Sequence, residues 1–223
     1  MKYYPINVDI TDKRCVVLGG GGVAERKVES LLRCMGRVTV ISPDLTPRLK
    51  ELLSHSKIQH ICREYKRGDF EDAFLVFVAT NDSRVNAEAS QEALGKGILV
   101  NTVDKPKRCN FIVPSVVDRD DLVITVSTSG KSPALAKKIR EDLEASYGEE
   151  YSIFLTIMGA VRERLLKTSN NSEKNRTIFY RLVDSNMLVL IKEGKREQIN
   201  NILAEILGEG YSLDELKIGI SGL

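Results

Sequence analysis

Four consecutive glycines, Gly19 to Gly22, separate the apolar run Arg14 to Leu18 (RCVVL) from the helical pattern that opens with VAERK. Within them Gly19-x-Gly21-x-x-Ala24 has the spacing of a dinucleotide-binding turn, directly after a strand and at the start of a helix, where such a turn must lie. Each position has a physical reason. Gly19 permits the tight turn, Gly21 lets the backbone approach a pyrophosphate, and Ala24 keeps the helix close to the strand. The helix start at Gly22 and Val23 supplies amide donors and a favourable dipole for an anion. The competing reading is a glycine-rich turn that binds nothing.

The rest of the chain to Thr102 continues the same β-turn-α rhythm. Arg37 to Ile41, Ile58 to Cys62, Phe74 to Ala79 and Ile98 to Asn101 are short, mostly unbroken apolar runs. Strands covered by helices on both faces cannot alternate polar and apolar residues, so a doubly wound parallel sheet of Rossmann type is expected. Val23 to Cys34, Leu45 to Ser54 and Ser83 to Leu94 have helical spacing, with Asp82 or Ser83 as a cap and Asp44 as a cap of the second helix. After Asn101 the rhythm changes. Two runs, FIVPSVV and Leu122 to Ser127, read as strands outside the main sheet, and Ser132 with Pro133 opens a helix. Tyr151 to Gly208 reads as three or four amphipathic helices. The expected domains are an NAD-binding Rossmann domain over 1–110, a small α+β dimerisation and substrate-contact segment over 111–148, and a helical C-terminal domain over 149–223.

Composition narrows the function. With 33 basic and 31 acidic residues the formal charge is only +2, which gives no case for nucleic acid or membrane partners, so any anion site must be local. No segment approaches a membrane span or a signal peptide, and the four cysteines, Cys15, Cys34, Cys62 and Cys109, form no C-x-x-C pair. A cytoplasmic protein is expected. The acid that usually takes the ribose hydroxyls, about 20 residues after the turn, is replaced by Ser42. The motif alone therefore leaves NAD and NADP open. Thr80, Asn81 and Asp82, after the fourth strand, would face the cofactor cleft.

The order GGGxVAERK, ATND, NTVDKPKRCNFIVPS and VSTSGKSPALAKKIRE resembles the precorrin-2 dehydrogenase and sirohydrochlorin ferrochelatase family, which is also the N-terminal module of siroheme synthase. The resemblance spans about Tyr4 to Tyr147 well and the helical remainder loosely. It implies NAD as cofactor, oxidation of precorrin-2 to sirohydrochlorin, and in some members insertion of ferrous ion to give siroheme, with cobaltous ion as another candidate substrate metal. It also implies a homodimer built through the middle segment. Because the chain ends at Leu223 with no methyltransferase module, a stand-alone form fed by a separate enzyme is expected.

By match of motif the family's key aspartate falls on Asp104, and the family's serine in a phosphorylation or substrate-loop position aligns with Thr128. Asp104 lies three residues past the fifth strand, where a carboxylate can accept a proton as hydride leaves or as metal enters. A polycarboxylate tetrapyrrole needs cations and amide donors. Lys105, Asn110, Ser127, Thr128, Ser129, Gly130, Lys131 and Ser132 are the candidates to contact it, beside the basic groups at Lys107, Arg108, Lys137, Lys138 and Arg140. No resident metal site is expected. His60 and Cys62 share a strand face, but such residues are more often ordinary packing groups. The rival class is a non-catalytic dinucleotide-sensing module.

Overall fold

A computed structural model describes residues 2–103, 105–168 and 171–219, and the chain divides into two compact units between Val113 and Pro114. Asp104 lies outside the described residues. In the first unit five parallel strands, β1 (Arg14–Leu18), β2 (Arg37–Ile41), β3 (Gln59–Ile61), β4 (Leu75–Val78) and β5 (Leu99–Thr102), take the order β3-β2-β1-β4-β5. Helices α1 (Gly22–Arg33) and α2 (Pro47–Ser54) cover one face, where Ala24, Val28, Leu31 and Leu49 pack on Cys15, Val17, Val38 and Val40. Helix α3 (Ser83–Gly95) covers the other, with Ala89 and Ala93 against Val16, Val76, Val78 and Val100. The unbroken apolar strands are thus buried on both faces, as a doubly wound sheet requires.

Register sets where a ligand can sit. Leu18 pairs with Ile41 on one side and with Val78 on the other, so the carboxyl ends of β1, β2 and β4 are level. Between β1 and β4 the strand order reverses, and the loops on either side of that point diverge to leave a crevice.

Some boundaries differ from the pattern reading. Helix α2 begins at Pro47 and is capped by the Thr46 hydroxyl, which accepts from the Leu49 amide at 3.2 Å, so Asp44 is not its cap. Proline at the first helical position selects that start, because its missing N–H would have had no partner there. The run Phe111 to Val117 is split by Pro114. Phe111 packs edge-on against Phe77 in the first unit, with ring centroids 5.7 Å apart, and strand pairing resumes only at Ser115.

The second unit starts with an antiparallel hairpin, β6 (Ser115–Arg119) and β7 (Leu122–Val126), followed by α4 (Pro133–Ser146) with Ser132 as its cap. Arg119 ties hairpin to helix by donating to the carbonyls of Tyr147 at 2.9 Å and Glu144 at 3.2 Å. Helices α5 (Glu150–Thr168), α6 (Ser172–Val183), α7 (Met187–Lys192) and α8 (Arg196–Leu207) enclose a separate core of Ile157, Val161, Leu182, Met187, Ile199 and Leu203. Among the described residues no helix is long and apolar enough to cross a membrane.

Candidate functional site

The glycine turn is held by close backbone approach on two sides. Gly19 has φ +116°, and a Cβ there would lie 2.4 Å from the Ala79 carbonyl oxygen. A Cβ on Gly20 would lie 1.9 Å from the Asp44 carbonyl oxygen and 2.8 Å from the Ser42 hydroxyl. Both glycines are therefore obligatory for packing. Gly21 differs, because nothing in the protein lies within 4 Å of the position its Cβ would occupy. That open space faces the crevice. The Gly19 amide donates to the Ile41 carbonyl at 2.9 Å and the Gly20 carbonyl accepts from the Thr46 amide at 3.1 Å, which knits the turn to the end of β2. Ala24 is fully buried and sets α1 against the sheet.

Thr46, Asp82, Ser132 and Asn171 cap α2, α3, α4 and α6 with side-chain oxygens, whereas α1, α7 and α8 start without a side-chain cap, and at α1 Gly21 has no side chain to offer. The first amides of α1 therefore have no side-chain acceptor at the helix start, the kind of position where an anion can bind.

A cleft of ≈ 500 Å³ opens at this turn, and Gly19, Gly21, Ser42, Thr80, Asn81 and Asp82 all line it. Gly22 and Val23 stand beside it in the first turn of α1. Asp44, Glu64 and Asp82 line the cleft, and among the described residues no lysine, arginine or histidine does. Amides of Val85 and Arg84 hold the Asp82 carboxyl below its ordinary pKa, so it stays ionised. Tyr65 forms a wall whose hydroxyl donates to Glu92. Burial raises the Tyr65 pKa well above that of an ordinary phenol, and Glu92 adds to the effect. Burial alone would raise Glu92 too, but hydrogen bonds from Tyr65, Lys96 and the Gly68 amide outweigh it and hold Glu92 below the usual carboxylate value.

The other candidate residues are dispersed. Lys105 is exposed, while the Asn110 side chain spans the edge of β5, accepting from the Val100 amide and donating to the Ile98 carbonyl, each at 2.8 Å. In the second unit Ser127 and Thr128 accept from the amides of Ser129 and Ser132 at 3.1 Å, in a turn where Ser129 and Gly130 have positive φ. Lys131 is exposed in the same turn. The basic group on α4 is offset locally, Lys137 by Glu141, Lys138 by Asp142 and Arg140 by Glu144. The His60 ring nitrogen lies 2.9 Å from the Ser42 carbonyl and the Cys62 thiol donates to that of Pro43 at 3.4 Å, so this pair ties β3 to the turn after β2. Pattern reading overlooked Gly20, Glu64, Tyr65 and Lys27. The Lys27 ammonium sits 5.2 Å from the Phe77 ring centre, and burial lowers its pKa.

Residues 6–115 match the "Putative NAD(P)-binding" family model and residues 119–146 match the "Sirohaem biosynthesis protein central" model. The siroheme synthase of Photobacterium profundum is 36% identical over 205 residues, which is 90% of this chain and 44% of that protein. That of Thioalkalivibrio sulfidiphilus is 33% identical over 210 residues, 94% of this chain and 43% of that protein. Over nearly its whole length the chain is similar to siroheme synthases. It spans less than half the length of these two relatives, at 44% and 43%. The solved structure of SirC, a precorrin-2 dehydrogenase, shares the fold with a TM-score of 0.76 and 23% identity, covering 92% of this chain and 98% of that one.

The two inner glycines should respond differently to a side chain. Gly21→Val should fold and lose dinucleotide binding, because the valine fills the space the pyrophosphate needs. Gly20→Ala should instead destabilise the fold by about 1–3 kcal/mol or more, as overpacking against backbone does. Thermal denaturation with calorimetric NAD titration of both variants checks this. Undiminished NAD affinity in Gly21→Val would refute the assignment.

Proposed function

We propose that this chain is an NAD-dependent dehydrogenase that converts precorrin-2 to sirohydrochlorin. The observation that carries the reading is the uncapped start of α1 beside a cleft lined by acids and, among the described residues, by no cation, in a chain whose residues 119–146 match the sirohaem biosynthesis central model. The shared fold of SirC, a precorrin-2 dehydrogenase, supports the same substrate. When bound, NAD supplies the acceptor for one hydride, and the second hydrogen leaves as a proton. The amides of Gly22 and Val23 bind the pyrophosphate, and Thr80, Asn81 and Asp82 border the half of the cleft beside β4. Asp104, two residues past the end of β5, takes the departing proton and stands ready to accept pyrrole protons if ferrous or cobaltous ion enters as a substrate. Lys105 and the 127–132 turn contribute donors to the substrate's carboxylates.

The cleft also favours NAD over NADP. A 2′-phosphate would enter among Asp44, Glu64 and Asp82 with no cation among the described lining residues to receive it, and like charges brought together in a partly desolvated cleft repel. Asp44 and Glu64 together therefore do what a single acid at the end of β2 does elsewhere. Paired substitution Asp44→Asn with Glu64→Gln should raise the ratio of NADP to NAD affinity by about tenfold, measured by calorimetric titration. An unchanged ratio would mean that these carboxylates do not select the cofactor.

The chain functions as a homodimer formed through β6, β7 and α4. A two-stranded hairpin is marginal by itself, and Val123 and Leu135 are 49% and 51% exposed on this segment, with Val116 and Ile139 at 37% each. A second copy would cover them through a symmetric contact. Light scattering at micromolar concentration should give twice the chain mass of 24.9 kDa, and a strictly monomeric solution would refute it.

Asp104→Asn should leave NAD binding intact and slow precorrin-2 oxidation by about 10²- to 10⁴-fold, the usual contribution of a general base. Chelation should fall with it if one site serves both steps. Formation of the sirohydrochlorin absorbance under single turnover is the direct measurement. A rate near that of the unsubstituted protein would leave Asp104 a turn residue.

A further inference from the structure

A line of polar groups, side chains joined by the backbone carbonyl of Asn86, crosses the otherwise apolar contact between α3 and β5. It starts in the cofactor cleft, where the Thr80 hydroxyl donates to Asn86 Oδ1 at 2.6 Å and Asn86 Nδ2 donates back to the Thr80 carbonyl at 2.8 Å. One helical turn on, the Ser90 hydroxyl bonds the Asn86 carbonyl, and its oxygen lies 2.6 Å from Thr102 Oγ1. Thr102 in turn reaches the Arg108 carbonyl at 3.4 Å, and its amide donates to the Cys109 sulfur at 3.1 Å. Arg108 and Cys109 close the loop that carries Asp104 in the chain. Ser90 is 1% exposed and Thr102 2%, among Ala89, Ala93 and Val100, which are fully buried.

Packing gives no reason for these hydroxyls, since alanine and valine would fill the same space without burying polar groups. The proton count is informative. Ser90 and Thr102 carry one hydroxyl proton each, and three contacts compete for the two. One proton occupies the bond between the two oxygens. The other goes to Asn86 if Thr102 donates to Ser90, or to Arg108 if Ser90 donates to Thr102. The pair is thus a two-state element, with one end on the cofactor cleft and the other on the loop.

We infer that Ser90 and Thr102 are positioning residues that couple dinucleotide binding at Thr80 to the order of the 105–110 loop. A ligand seated against residues 80–82 holds Thr80 on the Asn86 side chain and so fixes the first turn of α3, and the Asn86 backbone carbonyl in that turn is the acceptor that Ser90 takes or releases. Ordering of the loop and binding of the cofactor then favour one another by the same factor. The inference rests on the dinucleotide reading proposed above, and its test needs no tetrapyrrole.

Amide hydrogen exchange with and without NAD measures the coupling. In the unsubstituted protein NAD should slow exchange in the segment Lys105 to Asn110 by about fivefold, the scale of one net hydrogen bond, as well as at the Gly19–Ala24 turn. Thr102→Ser should keep the effect at the loop. Thr102→Val and, independently, Ser90→Ala should abolish it there while protection of the turn persists, with NAD affinity changed by no more than that same factor. NAD-induced slowing confined to the turn in the unsubstituted protein, or slowing at the loop that survives in whichever of the two variants folds, would overturn the coupling and leave the dinucleotide reading intact. Absence of any NAD binding would overturn both.

Discussion

Two carbonyl oxygens, from Ala79 and Asp44, press on the backbone of Gly19 and Gly20, and the first unit is arranged around that fit. One carbonyl follows β4 and the other follows β2, so the turn after β1 is gripped by the loops of both neighbouring strands. A side chain at either glycine would force those loops apart. With the turn held in place, Ala24 can bury itself and α1 lies close to β1 with its first amides uncapped. Gly21 and Gly22, by contrast, face open space, so the first two glycines of the run are required by the fold and the last two leave room beside the helix start.

Charge in the cleft is arranged by fold more than by composition. A chain of nearly balanced charge places Asp44, Glu64 and Asp82 around one cavity and no basic side chain among the residues that line it. Helix amides provide the attraction for an anion, at a fixed point and over short range. Carboxylates elsewhere in the cleft oppose a second anionic group. The Tyr65 wall is braced from behind, because Glu92 is itself held by Tyr65, Lys96 and the Gly68 amide, and the ring rests 5.3 Å from that of Phe70.

The second unit shows a different balance. Its helices bury a complete core, with Ile157, Leu182, Met187, Ile199, Leu203 and Leu213 fully enclosed. The hairpin and α4 bury Val117 and Ala136 but leave Val123 and Leu135 about half exposed. Buried polar groups follow the same contrast in the first unit. Most of the sheet interior is aliphatic, and among its buried polar residues, Thr39, Ser90, Glu92 and Thr102, the pair Ser90 and Thr102 is hydrogen-bonded in a line that runs from Asn86 to Arg108.

Much of the fold was legible because it is governed by rules that act over a few residues. A strand, a tight turn and a helix in succession identify the dinucleotide turn at Gly19 to Ala24, and Asp82 and Ser132 announce their helices by side-chain capping. Unbroken apolar runs specify strands buried on both faces. Where the local pattern pointed to Asp44 as the cap of the second helix, the structure places the cap at Thr46, before Pro47, and the Asp44 carbonyl packs against Gly20 instead. The need for glycine at position 20, the acids that line the cleft from after β2 and β3, and the line from Thr80 to Arg108 were not legible at all. Each joins residues that only the strand order β3-β2-β1-β4-β5 makes neighbours. Sequence determined which segments become strands and helices, since steric and hydrogen-bonding preferences are local. Tertiary structure decided which distant groups share a cavity, since that depends on how the strands are ordered and aligned.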